Sequence, residues 1–421
     1  MHSLLEETVA KTRWRLIPFM LGLYVLAFLD RANIGFAKQS YQHDIGLSDQ
    51  AFALGAGIFF VAYAALGVPA NLLMKRFGAR RWIGLITLAW GVLSMSVAYA
   101  DAEWKFLALR FLLGAAEAGF FPGMIYLTSL WFPQSVRAGV IGLFYMGAPL
   151  ALTLGSPLSG ALLELNGWAG HPGWYWMFLT EGLLAVVLGL FAFRFLDNSP
   201  AEARFLAAAQ REALTGQLAH EENAKPSMRV AEALGNPRLW HLAFIYAVIQ
   251  ASTYGIVFFL PSHVAALLGT TVGFRASLVA SLPWVAALVA TVLIPRYSDR
   301  TGERRWIAAA TLFCAGLGIG ASALTGPIPA IAALCLAASG FIAVQPVFWT
   351  FPAAMLSDSA LAAGIGFINM FGAAGAFAAP ILRVYVEQIF ASKAAGLMVL
   401  AAITVVGSLA IVLLRAGRGE A

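Results

Sequence analysis

Apolar runs long enough to cross a membrane recur along nearly the whole sequence, and they constrain its fold more than any other feature. A helix needs about 20 mainly apolar residues to span the hydrocarbon core of a bilayer. Only 11% of the residues are charged, against about 25% in ordinary soluble domains, which is too few to cover a water-facing surface. The sequence therefore predicts an all-α integral membrane protein.

The apolar runs and the polar segments between them predict twelve transmembrane helices in two six-helix halves. The first six runs cover 15–38, 51–74, 82–100, 105–130, 136–162 and 174–196. The last six cover 239–262, 273–295, 305–325, 328–352, 360–382 and 394–415. We therefore predict an N-terminal six-helix bundle over residues 1–196, a polar cytoplasmic linker over 197–238 and a C-terminal six-helix bundle over 239–421.

A nine-residue segment that occurs twice supports the division into two related halves. The segments 75–83 (KRFGARRWI) and 299–307 (DRTGERRWI) are identical at six positions and lie 224 residues apart. Each follows the second predicted span of its half. Parallel repeats with a substrate site between them are a known plan of membrane transporters, so the repeat favours a transporter.

Lysine and arginine residues accumulate on the cytoplasmic side of membrane proteins, which predicts the orientation of this chain. With a cytoplasmic N-terminus, 15 basic residues outside the linker fall on that side, including Arg415 and Arg418, and 5 fall on the other. The linker adds five more, among them Lys225. We predict a multi-pass protein of the cell (inner) membrane with both termini in the cytoplasm, and no nucleic-acid partner.

Five segments carry motifs of a known family. The pattern Asp-Arg-x-Gly-x-Arg-Arg stands at 299–305, FLDRANIGFA at 28–37, GARRWI at 78–83, RFLLGAAEAGFFPG at 110–123 and DNSP at 197–200. The first resembles a loop of the major facilitator superfamily. The other four resemble the anion:cation symporter family within it, and look most similar to permeases for 4-hydroxyphenylacetate, phthalate and tartrate.

The resemblance implies the major facilitator fold, transport by alternating access, and roles for particular residues. It implies that the acids Asp30 and Glu117 carry proton coupling and that Arg31 binds a substrate carboxylate. It also implies gating loops at Arg76, Gly78, Arg80, Asp299, Arg300, Gly302 and Arg304. The first loop departs from the family pattern, since Asn71 and Lys75 replace the usual Gly and Asp, and we predict no gating salt bridge from it.

Four ionisable residues inside the predicted spans are functional candidates, because each costs about 2.5–3.5 kcal/mol on insertion. At about 1.5 Å per residue, Asp30 and Arg110 lie at one depth, and we predict that they pair if their helices are adjacent. Glu117 lies near the midplane without an obvious partner, and we predict that it is protonated near neutral pH. Arg31, turned by about 100° from Asp30, remains available for an anion.

Each of these residues also has a purely structural interpretation. Asp30 and Arg110 are expected to stabilise helix packing if their pairing has no role in transport. Glu117 would then be a buried hydrogen-bonding group, and Arg31 would extend its guanidinium to the membrane interface.

Other polar side chains in the spans are weaker candidates for substrate contacts. The Tyr63 hydroxyl has the depth to orient a carboxylate, although packing explains this tyrosine equally well. Phe59 is interpreted as a core or lipid-facing aromatic. The second half supplies the candidates Gln250, Tyr254, Trp349 and Asn369.

Together these features predict a proton-coupled symporter that imports a small organic anion, an aromatic or hydroxylated carboxylate. The alternatives are a proton-coupled antiporter or exporter of the same fold, and a substrate sensor that does not transport. The sequence contains no metal-ligand cluster, P-loop or nucleophile–base arrangement, so no enzyme activity, cofactor or metal is predicted. The expected partners are an organic acid, protons and membrane lipid, and the expected state is a monomer.

Overall fold

The computed structural model describes residues 2–223, 235–355 and 358–414, and these residues form helices without a β-strand. The helices of the first half and the linker are α1 (His2–Ile45), α2 (Asp49–Phe77), α3 (Ala79–Ser96), α4 (Glu103–Glu117), α5 (Phe120–Trp131), α6 (Gln134–Tyr145), α7 (Gly147–Leu163), α8 (Gly173–Phe195) and α9 (Ala208–Asn223). Those of the second half are α10 (Pro237–Val257), α11 (Leu260–Leu267), α12 (Phe274–Ala280), α13 (Leu282–Thr301), α14 (Arg304–Leu324), α15 (Pro327–Phe348), α16 (Thr350–Met355), α17 (Asp358–Ile389) and α18 (Lys393–Val412). Lys225, Arg415 and Arg418 lie outside the described residues.

Within the described ranges, twelve helical segments are long and apolar enough to cross a membrane, which confirms the predicted all-α membrane fold. The first segment is longer than predicted, because α1 begins at His2 and includes the polar N-terminal residues. Helix α9 packs against this part of α1. There Lys11 Nζ donates to Gln210 Oε1 at 3.3 Å, and Thr12 is fully buried.

Some predicted spans consist of two helices in succession. The predicted span 105–130 is divided into α4 and α5 at Ala118 and Gly119. Likewise, Trp349 separates α15 from α16. Interruptions at membrane depth are tolerated where other protein segments surround the backbone. The first interruption follows Glu117 directly, so this acid is the last residue of α4.

Helix packing brings a few helices from both halves of the chain to the centre. In the first half, α3 packs along α8, α2 along α4, and α1 against α7 and α8. In the second half, α10 packs along α17, and α14 along α15 and α18. Between the halves, α2 contacts α17, α7 contacts α12 and α13, and α1 contacts α11. Side chains from α1, α2, α10 and α17 therefore meet between the halves.

The helix bundle has two ends, one of which carries two basic loops. The basic end holds the loops 78–81 and 302–305, and the far end is the opposite one, where α1 and α7 terminate. Gly78 and Gly302 have φ angles of 80° and 73°, which glycine adopts without the steric penalty of a side chain. These two residues allow the chain to turn sharply between consecutive helices.

The predicted gating residues in these loops make mostly local contacts. Asp299 Oδ1 in the last turn of α13 lies 3.9 Å from Arg304 Nη2 at the start of α14. The Arg80 side chain donates to a backbone carbonyl of α8. Arg76 and Arg300 are exposed. Among the side chains that the structure describes, neither loop forms an ion pair with the other half of the chain. A gating role for these residues stays a prediction.

The predicted linker, 197–238, contains helix α9 and an ordered turn before it. Asp197 Oδ1 lies 2.6 Å from Arg204 Nε, which fixes the chain as it leaves α8. Residues 224–234 of the linker lie outside the described residues. The division of the chain into two bundles and a linker stays a prediction.

Candidate functional site

Arg31 lies at the centre of the buried charges and links helices from both halves of the chain. Its Nη2 donates to Glu117 Oε2 at 2.7 Å, and its Nη1 donates to the Tyr254 hydroxyl at 3.0 Å. Glu117 is fully buried, and Arg31 exposes only 7% of its surface. Because the pair is desolvated, loss of either partner leaves an unpaired buried charge, at a cost of about 3–5 kcal/mol.

Arg31 faces a cavity between the two halves of the chain. Most of its lining side chains are aromatic or carry a hydroxyl or amide group. They are Tyr24, Phe28, Arg31, Phe60, Tyr63, Phe121, Tyr145, Ala148, Tyr246, Gln250, Thr253, Tyr254, Thr291, Ile342, Gln345, Pro346, Asn369 and Ala373. Apolar walls with a few convergent polar groups are typical of small-molecule sites, and Arg31 gives this one a positive charge.

The Phe59 ring contacts both arginines of the first half. The guanidinium carbon of Arg31 lies 4.9 Å from the ring centroid, and that of Arg110 lies 5.1 Å from it. A cation over an aromatic ring gains about 0.5–2 kcal/mol, with the larger values where water is excluded. Phe59 is fully buried, so this phenylalanine belongs to the charged site, and its sequence interpretation as a packing aromatic was incomplete.

The predicted ion pair between Asp30 and Arg110 is wrong. Asp30 Oδ1 accepts a hydrogen bond from Ser94 Oγ at 2.7 Å, and Arg110 Nε donates to the Gly55 carbonyl at 3.1 Å. The sequence predicts one depth for the two residues, but α4 packs mainly against α2 and α3 rather than against α1. Equal depth therefore did not make the two side chains neighbours.

The prediction that Glu117 lacks a partner and that Arg31 is free is also wrong. The two residues pair with each other across the space between α1 and α4. The second oxygen of Glu117 and the Nε of Arg31 make no hydrogen bond within the described part of the chain. The ion pair thus retains capacity for a further ligand or proton.

The structure places most of the other predicted substrate-binding residues on the cavity wall. Those that line the cavity are Tyr63, Gln250, Tyr254 and Asn369. Gln250 Oε1 has no hydrogen-bond partner among the described residues. Trp349 is not part of the wall, because it lies where α15 ends and its ring packs against Tyr246 at 4.8 Å.

Glu181 in α8 is a buried acid that the sequence interpretation missed. It is fully buried, and its Oε1 accepts a hydrogen bond from Ser159 Oγ at 2.7 Å. Asn33 of α1 interacts with the same carboxyl and is itself buried. The sequence contained a signal for this residue, since Glu181 is the single acid in a 23-residue helix that is otherwise nearly free of charge. The free-energy cost of inserting an ionisable residue into the membrane applies to Glu181 as it does to Asp30.

Comparison with known proteins gives a family match over most of the chain. Residues 20–380 match the family described as Major Facilitator Superfamily. The inner membrane transport protein RhmT of Escherichia coli (strain K12) is 66% identical over 416 residues, which cover 99% of this chain and 97% of that protein. A chain from Agrobacterium vitis named as a tartrate transporter is 39% identical over 415 residues, which cover 97% of this chain and 95% of that one.

A solved structure shows a similar fold. It is an inward-facing and occupied bacterial homolog of the human lysosomal transporter Spinster. The TM-score is 0.74 at 18% sequence identity, with 95% of this chain and 96% of that chain covered. At this level of identity the match concerns the fold.

Proposed function

Because the chain belongs to the major facilitator superfamily, we propose that it is a proton-coupled symporter that imports a small organic anion by alternating access. The chain is a multi-pass membrane transporter and not an enzyme. The buried ion pair of Arg31 and Glu117 beside the cavity is the observation that supports proton-coupled import of an anion. One arginine there is able to hold either an internal carboxylate or that of a substrate.

The ion pair couples anion binding to proton binding. A substrate carboxylate that pairs with Arg31 removes the partner of Glu117 and leaves that acid as an unpaired buried charge, which is strongly unfavourable. Protonation of Glu117 removes the charge, so the anion and one proton bind together. For a substrate with one carboxylate, the net charge of the site is the same before and after loading, which keeps the cost of reorienting the loaded carrier low. A dicarboxylate such as tartrate reaches the same balance with a second proton.

Asp30 and Arg110 belong to the same proposal. Both are buried, and Arg110 interacts electrostatically with Asp30 and with Glu117. Its two Nη atoms have no hydrogen-bond partner among the described residues. The positive charge of Arg110 therefore acts on Asp30 and Glu117 without forming an ion pair with either acid. This supports Asp30 as a second proton-coupling group.

The cavity wall favours a hydroxylated carboxylate as the substrate. The hydroxyls of Tyr63 and Tyr254 and the amides of Gln250 and Asn369 line the same cavity as Arg31, and groups of this kind bind substrate hydroxyls. The relative named as a tartrate transporter is consistent with this choice. An aromatic carboxylate is the alternative substrate class, since phenylalanine and tyrosine rings line the same wall.

The proposed location is the inner membrane, with both termini in the cytoplasm and the carrier acting as a monomer. The distribution of basic residues supports the orientation, and the name of the relative RhmT refers to the inner membrane. On this orientation the basic end faces the cytoplasm and the far end faces outward.

Uptake of labelled tartrate into proteoliposomes tests the proposal. With an inside-alkaline pH gradient, the wild-type protein should accumulate tartrate, while Glu117→Gln should lose about tenfold or more of that accumulation, equivalent to about 1.4 kcal/mol or more of coupling. Glu117→Gln should still exchange tartrate across the membrane, because Arg31 keeps its charge. Glu103→Gln, an exposed acid on the same helix, is the matched control and should behave as the wild type.

The outcomes separate the alternatives. Accumulation by Glu117→Gln at the wild-type level would contradict the coupling scheme. Extrusion driven by the same gradient would identify an antiporter, and binding without flux would identify a sensor. A thermal-shift panel of hydroxylated and aromatic acids identifies the preferred substrate, since a ligand of the folded state raises its apparent stability.

A further inference from the structure

We propose that Glu181 is the loading site for a transported proton, which it takes from water at the far end and passes to Asp30. This inference rests on the proposed proton-coupled transport and adds a residue outside the cavity to it. A group of buried side chains between α1, α3, α7 and α8 carries the inference. This polar cluster consists of Asp30, Asn33, Ser94, Ser159 and Glu181.

Glu181 has no cation to balance it as a carboxylate. Its Oε1 accepts from Ser159, its Oε2 has no hydrogen bond, and it forms no ion pair in the described part of the chain. An isolated buried carboxylate is very unfavourable, and the neutral acid avoids most of that cost. The surroundings of Glu181 therefore favour a bound proton as long as the cluster is closed to water.

Asp30 of α1 is close enough to Glu181 for the two carboxyl charges to interact. Its Oδ1 accepts from Ser94 of α3, and its Oδ2 has no hydrogen bond among the described residues. Ionisation of two neighbouring buried acids at the same time is unfavourable because their negative charges repel, so the two acids bind protons in succession. Asp30 is thus an acceptor with one oxygen available for a proton that Glu181 releases.

Asn33 is near both acids. It is one helical turn after Asp30 on α1 and interacts with the Glu181 carboxyl. Neither its amide oxygen nor its amide nitrogen has a hydrogen bond in the described structure. A primary amide both donates and accepts, so Asn33 is suited to orient the protonated acid on one side and the carboxylate on the other.

The remaining elements that pack against α8 add no charge to the cluster. Helix α7 contributes the Ser159 hydroxyl. The short turn Val97–Tyr99 also contacts α8, where the Tyr99 hydroxyl is hydrogen-bonded to the Tyr175 hydroxyl near the start of that helix. Proton exchange within the cluster is therefore between the two carboxyls.

The polar cluster lies directly behind the contact that closes the far end. A Cβ atom at Gly35 would lie 2.8 Å from a backbone carbonyl oxygen of the second half, and one at Gly160 would lie 2.5 Å from a side chain of α12. The halves thus meet almost backbone to backbone at these glycines. Asn33 is two residues from Gly35, and Ser159 is next to Gly160. Separation of the halves at the far end would bring water to the segments of α1 and α7 whose Asn33 and Ser159 side chains interact with Glu181.

The proton transfer is balanced in charge. With the far end open, the Glu181 carboxylate binds a proton from water and becomes the neutral acid. While water still reaches Glu181, that proton moves to Asp30, so that Glu181 becomes the carboxylate and Asp30 the neutral acid. Glu181 then binds another proton from water, and the cluster closes with both acids neutral. The cluster carries one negative charge before and after the transfer, and no other reactant is needed.

The ratio of protons to tartrate in proteoliposomes tests the inference. Glu181→Gln keeps the size and hydrogen bonding of the side chain but binds no proton. It should move one proton fewer per tartrate than the wild type, as should Asp30→Asn, while tartrate exchange continues. Glu103→Gln, the exposed control on α4, should keep the wild-type ratio.

Two results distinguish this inference from the proposed function. A wild-type protein that moves tartrate without protons would overturn both. A lower ratio in Asp30→Asn together with an unchanged ratio in Glu181→Gln would overturn the role of Glu181 alone.

Infrared spectroscopy provides a readout that does not depend on the Glu181→Gln protein folding. In the double variant Asp30→Asn/Glu117→Gln, the other two buried acids of the first half are replaced. A protonated-carboxyl band that still changes with pH above about pH 6, where exposed carboxyl groups are already ionised, would support proton exchange at Glu181. A spectrum without a pH-dependent carboxyl band in that range would overturn it.

Discussion

At the scale of single residues, one aromatic ring holds the two first-half arginines in place. Phe59 contacts the guanidinium groups of Arg31 and Arg110, which lie 4.9 Å and 5.1 Å from its centroid. Two guanidinium groups in one buried site repel each other, and the electron-rich faces of the ring offset part of this repulsion. Phe59 should therefore influence anion binding at Arg31 without contacting the anion's carboxylate.

Replacement of Phe59 by leucine should weaken tartrate binding by about threefold to tenfold, since a cation–π contact contributes about 0.5–2 kcal/mol. Phe59→Tyr keeps the aromatic face and should bind nearly as the wild type does. Isothermal titration calorimetry on purified protein measures both. Phe205→Leu is the control, because Phe205 lies 4.7 Å from Arg15, outside the cavity lining. Equal affinity in Phe59→Leu and the wild type would contradict this role.

The charged residues of the site were predictable from sequence, but their pairing was not. Asp30, Arg31, Arg110 and Glu117 stand out because ionisable groups in apolar runs are costly. Rise per residue fixes depth along a helix, whereas the lateral neighbours depend on how the helices pack. For this reason Arg31, rather than Arg110, is the residue that pairs with an acid. Glu181 could have been identified from the sequence as well, by applying the same rule on ionisable residues to the sixth span.

At the scale of elements, the contact between α2 and α4 sets the position of Phe59. A Cβ atom at Gly114 of α4 would overlap the carbonyl oxygen of Phe59. Small residues at such crossings let two membrane helices approach closely. The closeness of this crossing keeps the Phe59 ring between Arg31 and Arg110.

Gly114→Ala should force α2 and α4 apart, with a loss of stability of about 1–3 kcal/mol as for other overpacked contacts. Thermal unfolding in detergent measures this loss, and tartrate binding should weaken in the same variant because Phe59 shifts. Gly142→Ala provides the control: Gly142 is also helical, but a Cβ atom there has no heavy atom within 4 Å. An unfolding temperature in Gly114→Ala equal to that of the control would contradict the argument.

Helix number followed from hydropathy, but helix interruptions did not. Twelve apolar runs predicted the twelve spans because their length and composition match the bilayer. The break after Glu117 could not be predicted from mean hydropathy, because that quantity is averaged over about 19 residues. Ala118 and Gly119 do not lower this average. The helical start of α1 was missed because contact with α9, rather than lipid, stabilises that segment.

At the scale of the whole molecule, the far-end contact determines which side reaches the cavity. The halves approach closely at Gly35 and Gly160, and the cavity with Arg31 lies between them. In the proposed alternating-access cycle this contact must open and close in every turnover. A side chain that prevents closure should therefore stop transport without removing any group that binds the anion.

Gly160→Leu places such a side chain against α12, where even a Cβ atom would lie 2.5 Å from Ser277. Uptake of labelled tartrate should fall by about tenfold or more, because a misfit of this kind costs about 1–3 kcal/mol in the closed state. Tartrate should still raise the thermal stability of the variant, since Arg31 and the cavity wall are unchanged. Gly139→Leu is the control, with no heavy atom within 4 Å of a Cβ atom at Gly139. If Gly160→Leu transported tartrate at the control rate, closure at Gly160 would not be a step of the cycle. If Gly160→Leu bound tartrate but did not transport it, the result would show that the small residue at position 160 is needed for reorientation of the carrier.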